Sequence, residues 1–207
     1  GSAVALNDIP IEVLGGQRNQ VKAYIENSDI RTIDDLKLTA AASNLIIAVT
    51  AAVGAGKEGM AAATSVSSNT ITVDTAAYII GKKTEGIIAG GDIKLNATDG
   101  SAIYSLAGAG SFSKSDSALG VAVAFNLIAN TAKTYVENTI LEADSLTLNT
   151  EMNAVIINIT AGGSGADKVA ANGSVSINTI VGEVLAYISG STVTTVTKVE
   201  LLVLNNA

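Results

Sequence analysis

The chain has 207 residues, a formal charge of −7, and neither histidine nor cysteine. The charge argues against nucleic acids and anionic membrane surfaces as partners, since both want basic patches. The missing residue types exclude disulfides, thiolate or imidazole metal sites, and any nucleophile driven by a histidine base.

Apolar residues make up 48% of the chain, but aromatic residues only 3% and charged residues 15%, against about 25% charged in an average soluble domain. The interior is therefore expected to be thin and filled by Ala, Val, Ile and Leu. Asn, Ser, Thr and Gly are left to cover the outside. Gly1-Ser2 is expected to be a cloning remnant and the chain a piece of something longer.

In chain order, the first predicted strand is SAVALN at 2–7, followed by DIPIEVLGGQRNQV at 8–21, which holds the only proline. Then come KAYIENSDI (22–30), DLKLTA (35–40) and NLIIAVTAAVGAG (44–56). The same phrases return. GMAAATSVSSN at 59–69 is a degraded copy of the first, and AAYII, DIKLNA and AIYSLAGAG follow it at 76–80, 92–97 and 102–110. A third round reads GVAVAFN, KTYVENTI, SLTLNT and AVIINITAGGSG, from 120 to 165. A fourth reads GSVSIN, LAYISGSTV and KVELLV, from 173 to 203. Each phrase alternates with period two or is rich in β-branched residues, and Gly-Ala-Gly, Ala-Gly-Gly and Ser-Gly-Ser breakers separate them. The Ala-rich runs at 40–42 and 61–63 are the only stretches that could be read as helix.

Four of the five tyrosines mark the period. Tyr24, Tyr78, Tyr135 and Tyr187 stand 54, 57 and 52 residues apart. A unit of about 54 residues, present nearly four times (approximately 1–56, 57–110, 111–165 and 166–207), cannot bury a core alone but can do so by stacking. A β-propeller would bring more aromatics and hairpin turns, and Asn172-Gly173 is the only Asn-Gly pair. The composition favours a single all-β domain, a parallel β-solenoid of two to three coils per repeat. Two structural rows are expected along it. One is the stacked tyrosines. The other is a ladder of Asn7, Ser65, Asn126 and Asn178 that satisfies corner backbone groups. The insertion at 8–21 is the expected place for local specialisation.

No catalytic centre is legible. The closest acids, Asp34 with Asp35, Glu142 with Asp144, and Asp92 with Asp99, read as solvated turns. Glycoside hydrolysis wants two facing carboxylates with aromatic platforms, and tryptophan is absent. GAGKEG at 54–59 lacks the spacing of a phosphate loop. The uncharged run 38–56 is long enough to span a membrane, but Thr39, Ser43, Asn44 and Thr50 interrupt it and its equivalents recur. It reads as stacked strand.

The cycle V-A-V-x-N, A-Y-I-x-x-S, D-L-x-L-x-A resembles the repeat regions of large secreted filamentous adhesins of Gram-negative bacteria, of the fusobacterial leukotoxin and filamentous-haemagglutinin kind. The resemblance implies a right-handed parallel β-helix exported through an outer-membrane barrel and held at the cell surface or released. It brings no catalytic residues, metal or cofactor. The implied role is a stalk, with a host cell-surface protein or glycan as partner, no nucleic acid, and no membrane insertion of this segment. End-to-end self-association through strand edges is also expected. The alternatives are a toxin-like or ligand-binding module on the same scaffold, and a carbohydrate-active enzyme.

Overall fold

A computed structural model describes residues 1–9, 18–82, 84 and 86–207. Among these every regular element is a strand. The first turn of chain holds β1 (Ser2–Ile9), β2 (Asn19–Glu26), β3 (Ile30–Thr32), β4 (Leu36–Ala42) and β5 (Leu45–Gly56). The second holds β6 (Ala61–Ile71), β7 (Val73–Ile80), β8 (Gly86–Ala89), β9 (Ile93–Asp99) and β10 (Ala102–Ser113). In the third, neighbouring pairs fuse into β11 (Ser117–Glu137) and β12 (Ile140–Met152), with β13 (Val155–Ala166) after them. β14 (Val169–Ser189) and β15 (Thr192–Asn205) begin a fourth. The Ala-rich runs and the 38–56 stretch are strand, and no described helix is long and apolar enough to cross a membrane.

Every pairing is parallel and joins one turn to the next. Three sheets result. One carries β1, β6, β11, β14, β7 and β2; a second carries β3, β8, β12, β15, β9 and β4; a third carries β5, β10 and β13. Tyr24 lies beside Tyr78, Leu36 beside Ile93, and Leu45 beside Ala102. Residues one whole repeat apart are thus direct neighbours, which corrects the expected count of two to three coils per repeat. Each repeat is one wide turn, because its short strands all pair with the next repeat and none with another strand of its own.

The first sheet is the long wall, roughly 70 Å along β11 at ~3.3 Å per residue. The other two sheets cover its inner face side by side. Over the half that carries the tyrosines, the second sheet supplies Ile93, Leu95, Leu146 and Leu148, all fully buried, against Ala77, Ile79 and Val136. Burying each such Leu or Ile contributes ~1.5–3 kcal/mol. Over the other half, the third sheet comes close and the interior shrinks to Ala52, Ala63, Ala107, Ala109, Ala122 and Ala124. Between them lies a middle segment with Ile71, Ile103, Ile128 and Met152.

The corner from the first sheet to the second is turned at equivalent positions by Asn27, Gly81, Asn138 and Gly190. The amides of Asn27, Gly81 and Asn138 each donate to the carbonyl closing the strand of the following turn. Asn27, Asn138 and Gly190 have φ of 49°, 51° and 62°, the left-handed region that Asn and Gly tolerate at least cost.

Candidate functional site

The tyrosines project outward from the long wall and stack as one column. Ring centroids are 5.1 Å apart for Tyr24–Tyr78, 4.7 Å for Tyr78–Tyr135 and 5.1 Å for Tyr135–Tyr187, with planes within 9° of parallel. Parallel in-register pairing forces this, since it repeats the same Cβ direction at every turn. Tyr78 faces outward yet is only 5% exposed, because the rings on both sides cover it. Two hydroxyls reach back one turn: Tyr78 Oη donates to Glu26 Oε1 and Tyr187 Oη to Glu137 Oε1, both at 2.9 Å. Burial, then the bonded Glu137 carboxylate, pushes the Tyr187 phenol up to about 12. Burial and Glu26 raise Tyr78 in the same direction, and burial with Glu137 and Glu26 raises Tyr135.

Beside the column is an open cleft of about 300 Å³, lined by Arg18, Lys22, Asp74, Lys133, Tyr135 and Glu183. Four of its five charges are paired: Arg18 meets Asp74 and Lys133 meets Glu183, each at 3.0 Å. Arg18 also donates to Thr131 Oγ1 at 3.0 Å and to the Ala129 carbonyl, tying the first turn to the second and third. Of the 8–21 insertion, residues 10–17 lie outside the described residues; its end, Arg18 to Val21, enters this cleft wall and β2. A sugar ring docks on an aromatic face, and both faces of Tyr78 and Tyr135 are taken by neighbouring tyrosines. Those two rings act as packing and offer edges rather than platforms.

The asparagine ladder lies elsewhere than expected. It runs inside the body, at the border between the alanine-lined region and the middle segment. Asn7 Nδ2 donates to Asn69 Oδ1 (2.8 Å), Asn69 to Asn126 (2.7 Å) and Asn126 to Asn178 (2.8 Å). Asn69 is its second-turn member, 1% exposed. Ser65 is not, since it pairs with Ala3 and Ala122 and bonds Thr50 Oγ1 at 2.8 Å. The sequence held a signal for this: Asn69, Asn126 and Asn178 each stand nine residues before a column tyrosine.

Of the acid groups, Asp99 is not in a solvated turn. It is 1% exposed, and its carboxylate accepts from both Asn130 Nδ2 (3.0 and 2.9 Å) and the Ser101 amide (3.0 Å). Asn130 also donates to Ser101 Oγ and accepts from the Val73 amide. This node was missed because Asp99 has no acidic counterpart in the other turns, where Ala42, Met152 and Asn205 stand at its place. Asp92 sits on the outer face of the second sheet, where the Lys94 ammonium and the Ser145 hydroxyl hold its carboxyl below the usual range. Asp35 accepts from the Asp92 amide at 2.8 Å. Asp35 and Asp99 thus cap strand-end and corner amides, whereas Asp92 bonds side chains. Among the described residues, no three acidic side chains converge as metal ligands.

No family model, no curated protein and no solved structure matches the chain.

Proposed function

We propose that the chain is a stretch of the non-catalytic stalk of a large secreted or surface-held filamentous adhesin, wound as a right-handed solenoid. The observation that carries this reading is the unbroken tyrosine column. Each turn presents to the next the ring it needs, so the array can be extended turn after turn without changing its interior. The asparagine ladder repeats the same logic on the inside.

Each repeat adds only ~4.8 Å to the long axis, the spacing of neighbouring strands. Its remaining length goes into width, which resists bending. Such a rod holds distal parts, which bind a host protein or glycan, away from the cell. A chain without cysteine and with few charges suits passage through an outer-membrane pore before folding. Solution scattering on versions with twenty, thirty and forty repeats tests the stalk: the solenoid axis is then longer than the ~70 Å wall, and the long dimension grows by ~4.8 Å per repeat. An unchanged length removes the reading. A left-handed coil in a crystal structure removes the handedness alone.

A further inference from the structure

On the third sheet the ordinary distribution of side chains is reversed. Beyond Ile46, Ile103 and Ile156, which join the middle segment, inward positions carry Thr50, Ser105, Ser111, Asn158, Thr160 and Ser164, together with Ala and Gly. Outward positions carry the bulk: Ile47 is 69% exposed, Val53 70%, Phe112 60% and Ile159 60%. No charged residue occurs anywhere in β5, β10 or β13. The face is roughly 40 Å along the strands and ~14 Å across three turns. That is ~550 Å², at the upper end of the largest patch on an ordinary monomer, and it widens with every turn added. A specific interface takes ~800 Å² from each partner.

The sizes of the outward side chains are matched about the middle of each strand. Rotating a second copy by half a turn about a line parallel to the solenoid axis lays this face on itself with its strands reversed. On β10 the rotation sets Leu106 opposite Gly108, Tyr104 opposite Gly110, and Phe112 opposite Ala102. On β13 it sets Ile159 opposite Ala161, Ile157 opposite Gly163, and Val155 opposite Gly165. On β5, Val49 meets Ala51 and Leu45 meets Ala55; Ile47 against Val53 is the one pair of two large residues. The other two-fold, about a line along the strands, sets Tyr104 on Tyr104, Leu106 on Leu106 and Phe112 on Phe112.

We infer that two copies of this chain pair through the outer face of β5, β10 and β13, with their long axes side by side and pointing the same way. Knobs of one copy fill the hollows over Gly108, Ala161 and Gly163 of the other at the ~10 Å spacing of packed sheets, whereas Gly110 and Gly165 lie against the ring of their own Phe112. A hydrocarbon layer gains nothing from matched sizes, so a second copy fits the face better than a lipid surface does. The inference requires the coil and not the stalk reading, because pairing is read as mass and the stalk as length.

Sedimentation equilibrium of the full chain across a dilution series tests it. The wild type has twice the monomer mass. Leu106→Glu, on an outward position, halves the mass with an unchanged circular dichroism spectrum. Gly108→Leu separates fit from stickiness: its Cβ meets nothing nearer than the Thr50 carbonyl at 4.0 Å within the monomer. It makes the face more apolar, yet it too halves the mass by filling the hollow for Leu106. The chain has no cysteine, so an equimolar mixture of Leu106→Cys and Gly108→Cys cross-links with a short bismaleimide.

A wild type that stays monomeric overturns the proposal. So does a multimer that survives both substitutions, since that would join through the unpaired strand edges. Stronger association of Gly108→Leu, self-cross-linking of Tyr104→Cys alone, or flotation of the wild type with phosphatidylcholine vesicles overturns it as well.

Discussion

Asn69 Nδ2 lies 2.7 Å from Asn126 Oδ1, one full turn of chain further on and sealed from solvent. Each interior amide of this ladder accepts from the turn before and donates to the turn after, so removing one takes a bond from two partners. Replacing Asn126 by Leu takes from the Asn69 amide its shortest bond, leaving it the Ser67 and Ser105 hydroxyls, and takes from Asn178 its donor. An unsatisfied buried polar group costs ~1–3 kcal/mol, and Asn126→Leu is expected to lower unfolding stability by that amount. Asn178→Leu takes the acceptor from the buried Asn126 amide but loses no buried group of its own, and is expected to cost less than Asn126→Leu, ~1 kcal/mol. Equilibrium urea unfolding of both variants checks the contrast, and equal losses would remove the ladder as a source of stability.

The tyrosine column makes a graded prediction. Tyr135 stacks on two rings and Tyr24 on one. Each aromatic pair contributes ~0.5–1.5 kcal/mol beyond its buried area. Tyr135→Leu should therefore cost about twice what Tyr24→Leu costs. Tyr78→Phe keeps both stacks and loses only the bond to Glu26, about 1 kcal/mol. Thermal unfolding of the three variants orders them, and Tyr78→Phe ranking worst would show that the hydroxyl, not the ring, holds the column.

What was legible in the sequence and what was not divides along a physical line. Tyrosine is rare here, so its spacing located the column and the register of the whole stack. Period-two alternation located the strands but cannot say which of its two rows faces inward. That choice depends on how near the opposite wall lies. Against the alanine-lined part of the long wall there is room only for Ser, Thr and Ala, so Ile47, Leu106 and Ile159 turn outward. Asn69 was misplaced because its phrase, TSVSSN, has Ser68 where its equivalents have Leu6, Phe125 and Ile177 just before the asparagine. The Asp99–Asn130 bond joins two walls 31 residues apart and exists in one turn only, so no repeat could announce it.

Raised tyrosine pKa values fix the response to alkali. Tyr187 titrates near 12 in the folded chain, against about 10 for the unfolded side chain. The native state holds its proton longer, so this contribution is complete below pH ~10 and falls as pH rises through 10 to 12. Tyr78 and Tyr135 shift in the same direction. Urea midpoints should therefore drop steeply above pH ~10, and phenolate absorbance should lag behind that of free tyrosine until unfolding. Glu137→Gln removes the carboxylate that the Tyr187 hydroxyl bonds and should bring the onset to lower pH. Simple titration of the folded chain at the pH of free tyrosine would contradict the buried column.

The contact between the end of the second sheet and the long wall is built three ways in one molecule. Between the first and second turns Ala42 and Val73 share one apolar cluster. Between the second and third, the equivalent positions are Asp99 and Asn130, joined by hydrogen bonds. Between the third and fourth they are Met152 and Gly182, where a Cβ on the glycine would sit 2.5 Å from the Met152 sulfur. Size and polarity therefore change together on the two sides of the contact. Asp99→Met alone drives a long side chain into Asn130 and leaves its amide without a carboxylate. Asn130→Gly alone leaves the buried Asp99 without its two side-chain bonds. Each should cost ~1–3 kcal/mol or more. The double variant Asp99→Met, Asn130→Gly copies the pair one turn on and should recover ~1–3 kcal/mol as coupling in a double-mutant cycle. Strictly additive losses would mean that the two positions do not act as one unit. Recovery would show that turns are interchangeable even where their sequences share no residue, which is what an extendable array requires.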